Sequence, residues 1–475
     1  MADDNEDLRG KNLGILICWL LGVGCLLGFN SMITIEDYYV YLFPKYHPAR
    51  LVTLSYLPLV LSTTAIYAYH EARVNTRVRI LAGYMVAFLC TCALITVDVA
   101  TSGRGGIAAF ASVCVIAGGF GVADGHVQAG LTGDLSLMCP EFIQSFFAGQ
   151  AAAGAITSIL RFITKGAFEN SHNGLRKGAM LFFSIACFFL LICLLVYACV
   201  FPKLPIVKFY RSKAALEGSL TVAADLDAGG VQRHQKPLPV EDPAIPERLS
   251  SKQILLQNVD YALDLFLVYA LSLSIVPGFL AEDTGSHGLG SWYALVLIAS
   301  FNVLDLTGRY IPLIENIKLT SRKGLLIATF SRFLLVPAFY YTAKYGGQGW
   351  MILLTSFLGL SNGYLTVCIL TEAPKGFKGP EQNALGNILV FFLLSGLFSG
   401  AILGWLWLID SYAAVGNEID GLERRNIAIP WKMTGVILPR YFPSHTKIGK
   451  LAYMDLNCFV AGPFVFQELI TGPPK

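Results

Sequence analysis

Eleven stretches of about twenty mostly apolar residues run through this chain: 12–34, 49–70, 78–98, 106–129, 142–165, 178–201, 257–280, 290–308, 322–342, 348–371 and 384–408. A helix needs about 20 such residues to cross a bilayer. No water reaches the hydrocarbon, so every backbone amide and carbonyl must be paired inside the segment, and such stretches fold as helices. Only 14% of the residues are charged, against roughly 25% in a soluble domain. The sequence therefore predicts an all-α polytopic membrane protein whose first partner is the lipid bilayer. Its predicted parts are an N-terminus 1–11, a six-helix bundle 12–201, a polar loop 202–256, a five-helix bundle 257–408 and an irregular tail 409–475. The loop, rich in Pro, Lys, Asp and Glu, has the composition of a disordered segment. Lys and Arg concentrate in the N-terminus, around Arg73–Arg79 and in 202–256, which predicts a cytoplasmic N-terminus.

Several function classes are excluded. The 11 cysteines are scattered through apolar runs without metal-ligand spacing, so they read as small packing residues and no metal or cofactor is expected. No phosphate-binding glycine loop with a catalytic Lys, no His-Glu-x-x-His and no Gly-x-Ser-x-Gly occurs. The chain is not expected to be an enzyme. A net charge of +3 with no basic patch offers nothing to nucleic acid. The acidic start, Met1-Ala-Asp-Asp-Asn-Glu-Asp7, does not resemble a cleavable signal peptide, and none is expected.

The chemistry lies in polar residues on apolar helices. The eighth stretch carries Asn302, Asp305 and Arg309. A full charge in hydrocarbon costs roughly 2.5–3.5 kcal/mol even on lenient scales, so these charges must face protein. Asp305 and Arg309 are i, i+4, and Asn302 lies on the same face. Together they offer an amide, a carboxylate and a guanidinium, a set suited to a multiply hydroxylated solute. A buried ion pair that only locks two helices is the plainer alternative. The fourth stretch carries Asp124, His126 and Gln128, of which Asp124 and Gln128 share a face. Asp124 is open to a titrating or a helix-capping role, and His126 reads as a packing histidine. Phe29 and Asn30 end the first stretch; Phe29 can stack on an aromatic solute. Asp260 and Asp264, one turn apart at the start of the seventh, read as solvated, with Asp264 the deeper. Arg332, in the ninth, either snorkels or pairs with an acid.

These residues fall in ordered motifs: Gly22-x-Gly-x-Leu-Leu-x-x-Asn30, Gly121-Val-Ala-Asp-Gly-x-x-Gln128, Asn302-x-x-Asp-x-x-x-Arg309, Ser331-Arg-Phe-x-x-x-Pro337 and Ser361-Asn-Gly-Tyr-Leu-Thr366. With them the chain closely resembles the equilibrative nucleoside transporters (solute carrier family 29) over about 12–408. Glu372-Ala-Pro-Lys-Gly-Phe-Lys-Gly-Pro-Glu-Gln-Asn383 resembles the plant branch. The resemblance implies a major-facilitator-like bundle of six plus five helices that exposes a midplane site to each side in turn. It implies nucleosides such as adenosine and uridine as substrates. Asp305 and Arg309 would hold the ribose hydroxyls, Gln128 the base, and Asn302, Phe29 and Asn30 would complete the pocket. The plant branch implies nucleoside:proton symport, and the plasma membrane is the expected location, with the vacuole left open. The acid that carries the proton would then be Asp124, beside which the sequence shows no base, rather than Asp305, which Arg309 holds ionised. Proton-independent facilitated diffusion of nucleosides or nucleobases, a carrier of another polyhydroxylated solute such as a sugar, and a nucleoside receptor that moves nothing stay open. Phe29 stands where the family has Trp, and 409–475 has no counterpart in the resemblance.

Overall fold

The computed structural model describes residues 10–43, 46, 48–70, 74–168, 173–216, 249–276, 289, 292–345 and 347–424. Most of the acidic N-terminus, the centre of the long loop and residues 425–475 with Cys458 lie outside the described residues. Among those described there is no strand. The spanning helices are α1 Lys11–Thr34, α2 Pro48–His70, α3 Thr76–Thr101, α4 Ile107–Ser136, α5 Pro140–Phe168 and α6 Gly174–Cys199. They continue as α7 Val259–Ile275, α8 Tyr293–Tyr310, α9, α10 Gln348–Glu372 and α11 Gly379–Arg424. Helix α9 is broken: Arg322–Ser331 passes through a 3-10 turn, Arg332–Leu334, into Leu335–Tyr345. Among the described residues nine helices are long and apolar enough to cross a membrane. A tenth span pairs Ser251–Gln257 with α7 across a 75° bend. Helix α8 falls outside that set, and it is the one that carries Asn302, Asp305 and Arg309. Eleven spans are consistent with this arrangement.

Local chemistry sets several ends. Asn75 caps α3 by accepting from the amides of Arg77 and Val78, and Ser321 caps α9 by accepting from Gly324. Ser250 and Gln253 form a reciprocal capping box before α7. A short helix, Glu36–Leu42, follows α1, and its Tyr38 donates to Asp98 at the end of α3. Arg176 Nε bonds the same carboxylate at 2.8 Å, which ties α3 to α6.

Large side chains such as Val115, Phe188, Ile327 and Leu334 point outward, while small and polar residues line the helix contacts. That is the pattern expected where lipid is as apolar as the interior and close backbone packing holds helices together. Helix α1 packs on α5, α2 on α4, α3 on α4 and α6, and α8 on α10. Helices α5 and α8 join the first six helices to the last five. The α1–α5 contact is backbone to backbone: a Cβ on Gly149 would overlap the Trp19 carbonyl, and one on Gly22 the Phe146 carbonyl. Gly149→Val is therefore expected to abolish accumulation of monodisperse protein, as read by size-exclusion chromatography of a fluorescent fusion. Gly166→Ala, on the same helix with nothing within 4 Å of its Cβ, should elute like the parent.

Two sequence expectations need correction. The segment after α6 is ordered at its start: Pro205–Leu216 is a helix with Ile206, Val207 and Ala214 buried. Its Arg211, only 1% exposed, forms an ion pair with Asp134 of α4. The loop's average composition hides this amphipathic stretch. Helix α11 also runs past Leu408 to Arg424, so the tail does not begin as irregular chain. Residues Met1–Trp405 form one compact unit and Leu406–Lys475 a second.

Candidate functional site

The i, i+4 spacing on α8 does what it predicts. Asp305 and Arg309, each 5% exposed, form an ion pair with Arg309 Nη2 3.0 Å from Asp305 Oδ2. Arg309 Nε bonds the same oxygen at 3.0 Å. The other carboxylate oxygen accepts from Asn362 Nδ2 of α10 at 2.7 Å. This contact needs α8 and α10 almost in backbone contact. Gly308 lies against the Leu360 carbonyl and Gly363 against the Asp305 carbonyl, where any Cβ would overlap. Arg309 also reaches across to the first six helices, donating from Nη1 to the Phe147 carbonyl of α5 at 2.5 Å. Gln144 of α5 in turn donates to the Arg309 carbonyl at 2.9 Å. A carboxylate offers about four lone-pair positions, so these partners leave Asp305 with capacity to accept from a hydroxyl.

A polar relay extends behind the pair. Asn362 Oδ1 accepts from Ser272 Oγ of α7 at 2.8 Å, and Ser272 accepts from Arg332 Nη2 at 2.8 Å. Arg332 points inward and is 3% exposed. Its other donors go to Ser361 Oγ and to the Val268 and Leu358 carbonyls, rather than to an acid. Tyr269 OH lies 3.5 Å from Arg309 Nη2 and accepts from Thr366 at 3.3 Å. The helix motif that contains Ser361 and Asn362 marked this region in the sequence. Nothing in the spacing identified Tyr269 or Ser272 as members.

Asn302 is placed differently from the expectation that it opens to the same cavity. Its amide donates to the Gly154 carbonyl at 3.3 Å and to Ser158 Oγ at 3.0 Å, both on α5. The missing side chain at Gly154 admits it. Further along the same seam Trp292 stacks on Phe162, and Lys165 Nζ lies 4.5 Å from the Trp292 ring centre.

In the first six helices Phe29 stacks on Tyr56, with ring centres 3.5 Å apart and planes 9° apart. Tyr56 OH donates to Asp124 at 2.7 Å. Tyr56 is a neighbour the sequence did not reveal, since a tyrosine in an apolar helix carries no spacing signal. Gln128 is 3% exposed, and its side-chain amide has no hydrogen-bond partner among the described residues. Its donor and acceptor are therefore open to a ligand. Asn30 is half-buried and bonds through its carbonyl to Thr34. His126 is a satisfied packing histidine, between Tyr67 OH at 2.7 Å and the Val122 carbonyl at 2.8 Å. Among the described residues no group of His, Cys, Asp and Glu could hold a metal.

The site so built is a buried ion pair in the seam between two sets of helices, with an unpartnered amide on α4. A family model described as Nucleoside transporter matches residues 110–409. The chain belongs to the nucleoside transporter family. It is 58% identical over 404 residues to equilibrative nucleotide transporter 3 of Arabidopsis thaliana, covering 85% of this chain and 96% of that protein. Equilibrative nucleotide transporter 1 of the same plant is 30% identical, covering 83% and 86%. The proton:xylose symporter XylE, a major facilitator, superposes with TM-score 0.56 at 14% identity, covering 85% of this chain and 90% of that one. A bacterial homologue of the iron transporter ferroportin, in its outward-facing state, superposes with TM-score 0.51 at 16% identity, covering 82% and 92%. At such identities the likeness establishes the major-facilitator-like fold alone. The family consists of carriers, so this nucleoside transporter family member is a multi-pass membrane protein and not an enzyme.

Proposed function

We propose that the protein carries purine and pyrimidine nucleosides across the plasma membrane by alternating access, coupled to protons, with its N-terminus in the cytoplasm. The observation that carries the nucleoside reading is the buried Asp305–Arg309 pair, joined to both sets of helices through α5 and α10. Asp305 accepts from a ribose hydroxyl and Arg309 donates to one. Gln128, with its free amide, pairs with the base. Phe29 and Asn30 form the wall, and Asn302 holds α5 against α8 beside the sugar. Substrate that competes for Arg309 loosens its hold on the Phe147 carbonyl, which favours parting of the two sets of helices. Asp124 is the proposed proton carrier, with Tyr56 OH as its hydrogen-bond partner.

That same hydrogen bond favours a second reading, in which Asp124 stays ionised and transport is downhill diffusion. Uptake of labelled adenosine and uridine into cells without their own nucleoside carriers separates the two. Uptake at about pH 5.5 should exceed that at about pH 7.5 several-fold and fall with a protonophore, as expected if one linked proton must bind. Asp124→Asn should keep uptake near the pH 7.5 level and lose the acid stimulation. Uptake indifferent to pH and protonophore establishes the second reading. Competition by free ribose or glucose equal to that by adenosine would sink the nucleoside assignment.

A further inference from the structure

Asp264 does not lie in solvent. It sits early in α7 with 1% of its surface exposed, and neither carboxylate oxygen has a hydrogen-bond partner among the described residues. Thr329 of α9 lies beside it, fully buried, its hydroxyl likewise unpartnered. An ionised carboxylate is not left unpaired in such surroundings; it neutralises by taking up a proton. As a carboxylic acid it has an O–H to offer Thr329.

The position of this acid connects it to two other places. Asp260, Asp264, Val268 and Ser272 repeat every four residues and so form one stripe on α7. At one end Asp260 is partly exposed and lies 3.5 Å from Arg322 Nη1. At the other end the Val268 carbonyl and Ser272 Oγ both accept from Arg332, and Ser272 leads through Asn362 to Asp305. Arg332 follows Thr329 by three residues and opens the 3-10 turn in α9. Such a turn in the middle of a helix has weaker hydrogen bonds and often marks a hinge. Of the other charged groups on the neighbouring elements, Arg322 pairs with Asp260 and Glu372 of α10 with Lys318 and Lys375, while Lys323 of α9 and Lys252 ahead of α7 are exposed. Helix α11 presents Gly396 and Gly400 to the α7 backbone. Among the described residues, the hydrogen bonds of the buried Arg332 all go to neutral acceptors.

We propose that Asp264 is a proton-binding site whose ionisation draws Arg332 off Ser272 and so releases Asn362 from Asp305. The O–H bond of Asp264 breaks, the electron pair stays on the carboxylate, and the proton passes to water at the Asp260 end. Protonated Asp264 leaves the relay intact and Asp305 braced for substrate. The coupling rests on the reading that the Asp305–Arg309 pair binds nucleoside; the proton site itself does not.

Adenosine binding to the purified full-length protein tests the coupling. The wild type should bind about tenfold more tightly at about pH 5.5 than at about pH 7.5, the response of a single linked proton. Asp264→Asn should shift by less than about twofold between those conditions. Infrared difference spectra, acid minus neutral, should show a protonated-carboxyl band that Asp264→Asn removes. Asn has the shape of the protonated acid, so the variant should melt at or above the wild-type temperature; Asp264→Ser provides a second variant for both readouts. An unchanged shift in the Asn and Ser variants, or no loss of the band, overturns the proposal. A wild type that binds no adenosine but shows the band sinks the substrate reading and leaves the proton site standing.

Discussion

Asp305→Asn abolishes nucleoside uptake at every pH, by at least about a hundredfold, with the protein still present at the cell surface. The side chain keeps its shape, but one acceptor oxygen becomes an NH2 donor. Whichever way the amide turns, it meets a donor, either Arg309 Nε at 3.0 Å or Asn362 Nδ2 at 2.7 Å. Arg309, 5% exposed, is left as a buried cation without its counter-charge. Removing one partner of such a pair costs about 3–5 kcal/mol, and each 1.4 kcal/mol is about tenfold in binding. Part of that cost falls on folding, so uptake must be normalised to surface protein and read beside a thermal melt. Arg309→Lys should lose about ten- to a hundredfold. An ammonium keeps the charge but cannot serve Asp305 and the Phe147 carbonyl with one planar fork. Substantial uptake by well-expressed Asp305→Asn would mean that the pair only locks α8 in place.

The difference between those roles could be posed from the sequence but not decided there. Helical spacing puts Asp305 under Arg309 because that geometry is local. It does not say which helix supplies the next partner. Asn362 lies 57 residues away from Asp305, and its approach depends on Gly308 and Gly363 letting α8 and α10 touch. Spacing also put Asn302 on the face of Asp305, yet its amide serves α5, because a helix face is broad enough to meet two neighbours. Asp264 was misjudged for a related reason. Its position near a helix start suggested water, whereas packing of α9 buries it beside Thr329. The apolar stretches were legible because the membrane imposes one backbone solution on all of them. The exception runs the other way: α8 is the least membrane-like of the spans because it carries the polar stripe.

Asp134→Ala should leave too little folded protein to assay. Asp134 and Arg211 are 0% and 1% exposed, and the guanidinium meets both carboxylate oxygens, with Nε 3.3 Å from Oδ1 and Nη2 on Oδ2. Arg211 also lies 5.2 Å from the Phe201 ring centre. Truncating the acid strands a buried cation, at a cost of about 3–5 kcal/mol. A membrane helix bundle sitting near ordinary margins of about 5–15 kcal/mol would lose much of its stability. The measurement is the yield of monodisperse protein, with a melting temperature for the variants that accumulate. The double variant Asp134→Leu/Arg211→Met replaces the pair with apolar groups of similar bulk and should recover most of the loss, since such swaps are often neutral or stabilising. The gap in yield between Asp134→Ala and the double variant shows how much of the loss comes from stranding Arg211. If the double variant melts like the wild type and transports, the pair only anchors Pro205–Leu216 to α4. Arg79 bonds Asn387 of α11 near this end of α4, and Gly133 lies against Asn383. A double variant that is stable but slow would therefore give the Asp134–Arg211 pair a role in transport beyond anchoring Pro205–Leu216 to α4.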